Sequence, residues 1–263
     1  MKLGIDGKIA VVGGASKGLG YAAAESLLRE GARVAIAARD EKSLLAAADS
    51  LEEATGSRPL PVPTDLTRPA DREALVERVE RELGAVQILV ANAGGPPPGP
   101  FESHGPDDWQ LAIDLALGNV THLCAMVLPK MKAAGYGRIA QIVSIAGLEV
   151  VDGLILSNAS RPAVLGFAKA LAREVASHGI MVNSVCPGIF LTDRIKELAV
   201  ERARSSGITP DEYIERLGED IPAGRPGEPG ELGDLIAFLC SRRNTYITGA
   251  AIPIDGGRTR RIF

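Results

Sequence analysis

The sequence predicts an α/β fold: a single doubly wound domain over residues 1–263, with a seven-stranded parallel sheet and helices on both faces. Three observations predict it. Near the start, the apolar run Ile9–Val12 breaks into a loop holding Gly13, Gly14, Gly18 and Gly20, then into Ala-rich sequence with helical spacing. Apolar runs of strand length then alternate with helical patterns, the order that builds a parallel sheet. The third such run, Arg58–Val62, carries Pro59 and Pro61 and is followed by Pro63. Backbone donors alternate sides along a strand, so these prolines delete donors on one side only, which suits the edge that the order 3-2-1-4-5-6 gives to a third strand.

The elements follow in order. Gly31 sits at the C-terminal cap of the first helix, and Arg33–Ala38 is a second apolar strand. Asp40 can cap a helix carrying Leu44, Leu45, Ala48 and Leu51 on one face and ending at Gly56. Thr67–Leu83 is a third helix, with Leu75, Val79 and Leu83 at spacing four, stopped by Gly84. Ile88–Ala91 is the fourth strand, opening into Asn92-Ala93-Gly94-Gly95 and the stiff run Pro96–Pro100. Asp107–Met131 reads as one long helix and Arg138–Val143 as the fifth strand. Ala163–His178 is helical and Met181–Cys186 is the sixth strand, left by Pro187-Gly188. Asp193–Ser206 and a helix opened by the capping box Thr209-Pro210-Asp211-Glu212 form an insertion at about 193–226, over the C-terminal edge of the sheet. Leu232, Leu235, Ile236 and Leu239 mark the last helix, and Ala251–Ile254 the seventh strand, ending in Asp255-Gly256-Gly257.

Composition narrows the function. A hydrophobic content of 46% with 24% charged residues is that of a globular chain, and a net charge of −4 provides no basic footprint for nucleic acid. Cys124, Cys186 and Cys240 are odd in number and far apart, without a CxxC pair or a histidine at ligand spacing, so reduced structural thiols and no metal site are expected. No run approaching the ~20 residues of a membrane span is expected, and Lys2 is followed by Gly4, Asp6 and Gly7 before any apolar stretch, which does not read as a leader. A cytoplasmic chain without membrane partners is expected.

The glycine loop is the first chemical motif. Glycine takes positive φ and lets backbone approach a ligand, while the helix behind it aims free N–H groups and its positive dipole end into the turn. A dinucleotide pyrophosphate suits that place. The order Gly14-Ala-Ser16-Lys17-Gly18-Leu19-Gly20 resembles the TGxxxGxG loop of the short-chain dehydrogenase/reductase family, with Gly13 where that family usually has Thr. The resemblance runs from Lys8 to Gly257 through Asp65-Leu66, Asn92-Ala93-Gly94, Ser144, Pro187-Gly188 and the closing Asp255-Gly256-Gly257, and is nearest to 3-oxoacyl-acyl-carrier-protein reductases. It implies a Rossmann fold, with Asp65 near the adenine, Asn92-Ala93-Gly94 bracing the central strand beside the cofactor, and Thr192 near the nicotinamide. It also implies a homodimer or homotetramer pairing the long helices, where Ala112, Ala116, Ala168 and Ala172 would permit close approach.

Charge argues for the cofactor. An acid ~20 positions past such a loop accepts the ribose 2′-OH of NAD, whereas a nearby Arg accommodates the 2′-phosphate of NADP. The second strand ends in Ala37-Ala38-Arg39, with Ala38 where an acid would stand, and Lys17 adds a cation from the loop. NADP(H) is therefore favoured over NAD(H), with Asp40 as the residue that could still serve a 2′-OH.

The catalytic positions depart from the family. Members carry Ser after the fifth strand, Tyr-x-x-x-Lys on the next helix and Asn in the long helix. Here Ser144 holds the serine position. The segment Ser157-Asn158-Ala159-Ser160-Arg161-Pro162-Ala163 replaces the usual YSASKAA, so Ser157 stands for Tyr and Arg161 for Lys, and Ala116 stands for Asn. A Ser hydroxyl is a far weaker acid than a phenol of pKa ~10; Arg161 can still donate to a ribose, as the family's Lys does to that of the nicotinamide, but its permanent charge cannot relay a proton near neutrality. Pro162 removes a donor and disfavours helical backbone at Arg161, which predicts a kink or a late helix start there. Glu149, Asp152 and His104 are alternative acids that read as surface loop residues, and His122 and His178 as helix decoration.

Three functions follow from these residues: an NADP-dependent oxidoreductase acting on a carbonyl or alcohol with an atypical proton donor; an NADP-binding pseudoenzyme serving a structural or sensing role; and a non-redox enzyme similar to halohydrin dehalogenases. The last resemblance is the poorest, because those enzymes keep Tyr and rebuild the glycine loop, whereas this chain does the reverse.

Overall fold

In the computed structural model, which describes residues 2–262, seven parallel strands form one sheet in the order β3-β2-β1-β4-β5-β6-β7. They are β1 Ile9–Gly13, β2 Arg33–Ala38, β3 Leu60–Pro63, β4 Ile88–Ala91, β5 Gly137–Ile142, β6 Ile180–Pro187 and β7 Ala251–Ile254. The central strands are buried along their whole length, as continuous apolar runs must be when helices cover both faces.

Alternation along the strands sends side chains to two separate cores. Ala10 and Val12 join the layer formed with helices α1 (Gly18–Arg29), α2 (Glu41–Thr55) and α9 (Pro229–Leu239), through Leu27, Leu44, Leu51 and Ile236. Ile9 and Val11 join the opposite layer with α3 (Pro69–Glu82), α5 (Asn119–Ala134) and α6 (Ile155–Val175), through Leu75, Leu123, Val127 and Val164. Local signals set the ends of these elements. Asp40 accepts from the Ser43 N–H at 2.8 Å, and Gly56 closes α2 in the left-handed region at φ 72°. Leu45, expected on the buried face of α2, is 42% exposed, and Ala47 takes its place against the sheet.

The prolines of β3 lie where one-sided donor loss is harmless. β3 pairs only with β2, and the N–H of Thr64 donates to Ala38, so even positions face the partner and Pro61 and Pro63 face outward. The third helix begins at Pro69 rather than Thr67, because the Thr67 N–H and hydroxyl both donate to the Asp65 carboxylate and hold those residues in a turn.

Two helices differ from expectation. The long helix is broken into α4 (Pro106–Ile113), a π-helical turn (Asp114–Gly118) and α5. Residues 106–134 are also long and apolar enough, by length and composition, to cross a membrane, contrary to expectation. In the fold, Val120, Leu123, Val127 and Met131 are spent against the sheet. The other helix, α6, starts at Ile155 and runs through Pro162 without a late start at Arg161. Pro162 deletes one interior N–H, a loss outweighed by the burial of Leu156, Val164, Ala168 and Leu171 along the same helix. The three cysteines are free and buried, and burial pushes the Cys124 and Cys240 thiols up to about 12, so they remain protonated packing groups.

Candidate active site

All parallel strands point their C-terminal ends the same way, so the loops after β1 to β7 meet at one edge, and the sheet order reverses between β1 and β4. The glycine turn lies at that crevice. Gly14 and Gly18 have φ of 57° and 63°, the left-handed region that a side chain resists. A methyl group on Gly20 would lie 2.3 Å from the Gly14 carbonyl oxygen, so helix α1 can approach the turn only because position 20 has no side chain. Lys17 is the N-terminal cap residue of α1 and makes no side-chain capping bond, which leaves the first N–H groups facing the turn. Leu19 packs into the core behind it, and Ser16 and exposed Lys17 line its outer wall.

The Asn92-Ala93-Gly94 turn braces this loop. Asn92 Nδ2 donates to the carbonyls of Gly13 and Gly14, at 3.0 and 3.3 Å. The Asn92 carbonyl occupies the space a side chain at 13 would need, 2.4 Å from such a Cβ, so Gly13 is required by packing here. Leu66, buried at 6%, also abuts Gly13, and Ala93 abuts Gly14. Gly94 meets nothing within 4 Å on its side-chain side and leaves the crevice open.

Past β2 and β3 the turn is flanked by charge. Arg39 is exposed at the end of β2, and its field reaches Asp65 after β3. Burial acts to raise the Asp65 carboxyl, but the Thr67 hydrogen bonds and the charges of Arg39 and Arg68 outweigh it and hold it below the usual carboxylate range. On the other side, Pro187-Gly188 turns tightly against Asp255, whose Cβ lies 2.8 Å from where a Gly188 side chain would begin. Thr192 opens helix α7 (Asp193–Ser206) within 3.5 Å of the same point at Gly18, which brings the insertion onto the glycine turn. Helix α8 (Pro210–Glu219) follows, with its capping box formed: Glu212 N–H donates to the Thr209 hydroxyl, and Thr209 N–H to the Glu212 carboxylate. A cleft of about 620 Å³ beside the turn is walled by Ser16, Lys17, Ser43, Thr192 and Lys196.

Two of the catalytic candidates, Ser144 and Arg161, lie by the loops that follow β4 and β5. Ser144 is half-buried after β5, and its hydroxyl accepts from the Ala146 N–H at 3.0 Å, capping a short 3-10 turn. Ser157 and Arg161 lie one turn apart on α6, and Arg161 faces this loop. The backbone of Arg161 packs against Gly147, and its Nη2 comes within 4.0 Å of a Cβ placed on Gly95. The side chain thus spans from the β5 loop to the β4 loop. It is only 8% exposed, and its Nε has no hydrogen-bond partner. Ala116 is buried in the π-helical turn against α6.

Several features were not legible beforehand. His104 is not a surface residue: its side chain is 4% exposed, its Nε2 has no partner and contacts the side of Gly99, and Nδ1 lies 3.9 Å from Asp108. Asn119, one turn after Ala116, buries an amide with neither polar atom satisfied. The C-terminal tail crosses the loop after β5, where the Arg260 N–H approaches the Glu149 carboxylate at 3.4 Å. Asp152 stays exposed, His178 decorates its helix, and His122 is engaged by Arg72 at 3.0 Å. The small residues expected between subunits are instead buried within this chain, Ala112 and Ala116 at 1% and Ala168 and Ala172 at 2% exposure. Ala116, Ala168 and Ala172 belong to the core layer on the chain's own sheet.

Similarity to known proteins follows the same pattern. Residues 14–259 match the family model described as Enoyl-(Acyl carrier protein) reductase. The chain is 35% identical over 255 residues to the 3-oxoacyl-[acyl-carrier-protein] reductase FabG of Escherichia coli (strain K12), covering 97% of this chain and 98% of that one. In structure it is similar to the L-sorbose reductase of Gluconobacter frateurii complexed with NADPH and L-sorbose, at TM-score 0.95, 35% identity and full coverage of both chains. A ketoreductase of actinorhodin polyketide synthesis, solved with NADPH, matches at TM-score 0.90 and 32% identity over 97% of this chain and 98% of that one. With the glycine turn, its Asn brace and the sheet order all in place over nearly the whole length, the chain belongs to the short-chain dehydrogenase/reductase family of oxidoreductases.

Proposed function

We propose that the protein binds NADP(H) across the β1–β4 crevice and transfers a hydride between it and a carbonyl or alcohol substrate, in the manner of a 3-oxoacyl-acyl-carrier-protein reductase but without that enzyme's usual proton relay. The carrying observation is the glycine turn: Gly14, Gly18 and Gly20 leave a cradle that a Cβ would fill, beneath uncapped helical N–H groups. Relatives solved with NADPH share the fold. Gly14, Ser16, Lys17, Gly18 and Gly20 would hold the pyrophosphate side, Arg39 and Lys17 the 2′-phosphate, Asp65 and Leu66 the adenine, and Asn92, Ala93, Gly94, Pro187, Gly188 and Thr192 the nicotinamide side.

When bound, the nicotinamide supplies the hydride. The residues around it orient the substrate: the Ser144 hydroxyl can donate to the carbonyl oxygen, while the Ser157 hydroxyl is too weak an acid to replace a phenol. Loss of a general acid costs ~10² to 10⁴ in rate, and proximity alone still lowers a barrier by ~7 to 11 kcal/mol, so slow turnover is physically sound. A second reading, an NADP-binding chain without redox turnover, is favoured by the absence of any phenol or ammonium at positions 157 and 161. NADPH oxidation against a panel of ketones separates the two.

NADPH is expected to bind more tightly than NADH, and Arg39→Asp to reverse that order. Calorimetry decides it, and equal affinities in the unmodified protein would count against the assignment. We further propose a cytoplasmic homodimer or homotetramer, formed through the long helices. The apolar side chains left outward there are Leu111 and Ile113, 38% and 45% exposed. Leu111→Glu with Ile113→Glu should then yield monomers by light scattering at micromolar concentration. An unmodified protein already monomeric would contradict the assembly.

A further inference from the structure

Arg161 poses a problem that hydride transfer alone does not solve. A full positive charge, only 8% exposed, lies over the ends of β4 and β5 with an unsatisfied Nε and no ion pair among the described residues. Among the described residues, the titratable group whose charge reaches it is the Cys186 thiol, which burial pushes up to about 11 and so keeps neutral. The acid on the same loop, Glu149, is engaged by the backbone of the C-terminal tail. That tail adds a further cation, Arg261, whose field also reaches Cys186. Arg161 lies between Gly95 and Gly147, and both charges reach Cys186 at the end of β6, beside the crevice read above as the cofactor site.

A buried charge left without a counter-charge is strongly unfavourable, and a neutral ribose diol would offer hydrogen bonds but no compensating charge. The cofactor's own phosphates belong at the glycine turn, at the end of β1. A guanidinium also differs from an ammonium in kind, because its planar fork matches both oxygens of a carboxylate at once. The position therefore has the form of half an ion pair whose other half arrives from solution.

We propose that the substrate carries an anionic group, a carboxylate in the simplest case, and that Arg161 receives it between the β4 and β5 loops. This rests on the reading of the crevice as an NADP(H) site, and it assigns the substrate class. Ser144, on the same loop as Gly147, then faces the reacting carbonyl while the fork of Arg161 holds the acid end. Such a substrate is a short oxo acid or hydroxy acid.

The test compares 3-oxobutanoate with its methyl ester by calorimetry on the NADP⁺-loaded protein. The acid is expected to bind at least tenfold more tightly than the ester. Arg161→Met should erase that preference, Arg161→Lys should keep a smaller part of it, and both variants should bind NADPH within about threefold of the unmodified protein. Equal binding of acid and ester to the unmodified protein overturns the proposal. So does an Arg161→Met variant that keeps the acid preference while losing NADPH affinity tenfold, since the guanidinium would then serve the ribose. Thermal melting checks that the Met variant folds, and if it does not, the Lys variant decides by whether the preference shrinks. An unmodified protein that binds no nicotinamide nucleotide would sink the redox reading, whereas the acid-over-ester preference, measured without nucleotide, would still stand or fall on its own.

Discussion

Ser157→Tyr, Arg161→Lys and Ala116→Asn introduced together should raise NADPH-dependent reduction of a simple, uncharged 3-oxoacyl ester by ~10² or more, the size of one general acid. The changes must be combined. A phenol at 157 beside the permanently charged guanidinium of Arg161 would still lack a partner that can pass a proton, and groups that act as a unit are strongly non-additive. The fold accommodates the first two, since 157 and 161 lie one turn apart on a helix that is continuous from Ile155 to Val175. Pro162 can therefore stay. Ala116 is the harder position, 1% exposed within a π-helical turn, so the asparagine must displace neighbours, and a melting curve should accompany the kinetics. An unchanged rate in a folded, NADPH-binding triple variant would show that the missing relay is not what limits ester reduction. Loss of an activity that the unmodified protein possesses would show a site rebuilt around Ser144 and Arg161 for other chemistry.

Gly20→Ala should weaken NADPH binding by ~10² while leaving the sheet intact. The new methyl would sit 2.3 Å from the Gly14 carbonyl oxygen and 2.8 Å from Asn92 Nδ2, both fixed by the brace between β1 and β4. Backbone cannot yield as a flexible side chain does, so α1 must withdraw from the turn. Losing two phosphate bonds of ~1.5 kcal/mol each gives the stated factor. Gly166→Ala is the control: position 166 is exposed on α6 with nothing within 4 Å, so it should leave NADPH affinity unchanged and add ~0.4 to 1 kcal/mol of stability. Equal affinities of the Gly20→Ala variant and the unmodified protein would remove the glycine turn from the cofactor site.

Strand order, the edge position of the proline-bearing strand and the glycine turn were legible in the sequence because each rests on a local rule. An apolar run reads as a buried strand wherever helices cover both faces, and a proline is harmless only where its missing donor faces outward. The capping box at Thr209 and the cap at Asp40 are of the same kind, four residues sufficing to specify the bond.

What the sequence could not supply were properties set by several segments at once. Pro162 argues locally for a helix boundary at Arg161, yet α6 is held by apolar residues spread over its length, and their burial outweighs one lost hydrogen bond. His104 reads as a loop residue until the Gly99 turn closes over it. Ala112, Ala116, Ala168 and Ala172 look like contacts for a partner until the same chain buries them. The charge of Arg161 is evident from its letter alone; that no carboxylate among the described residues meets it follows only when the loops after β4, β5 and β6 are brought together, because burial and the pairing of charges depend on residues far apart in the chain.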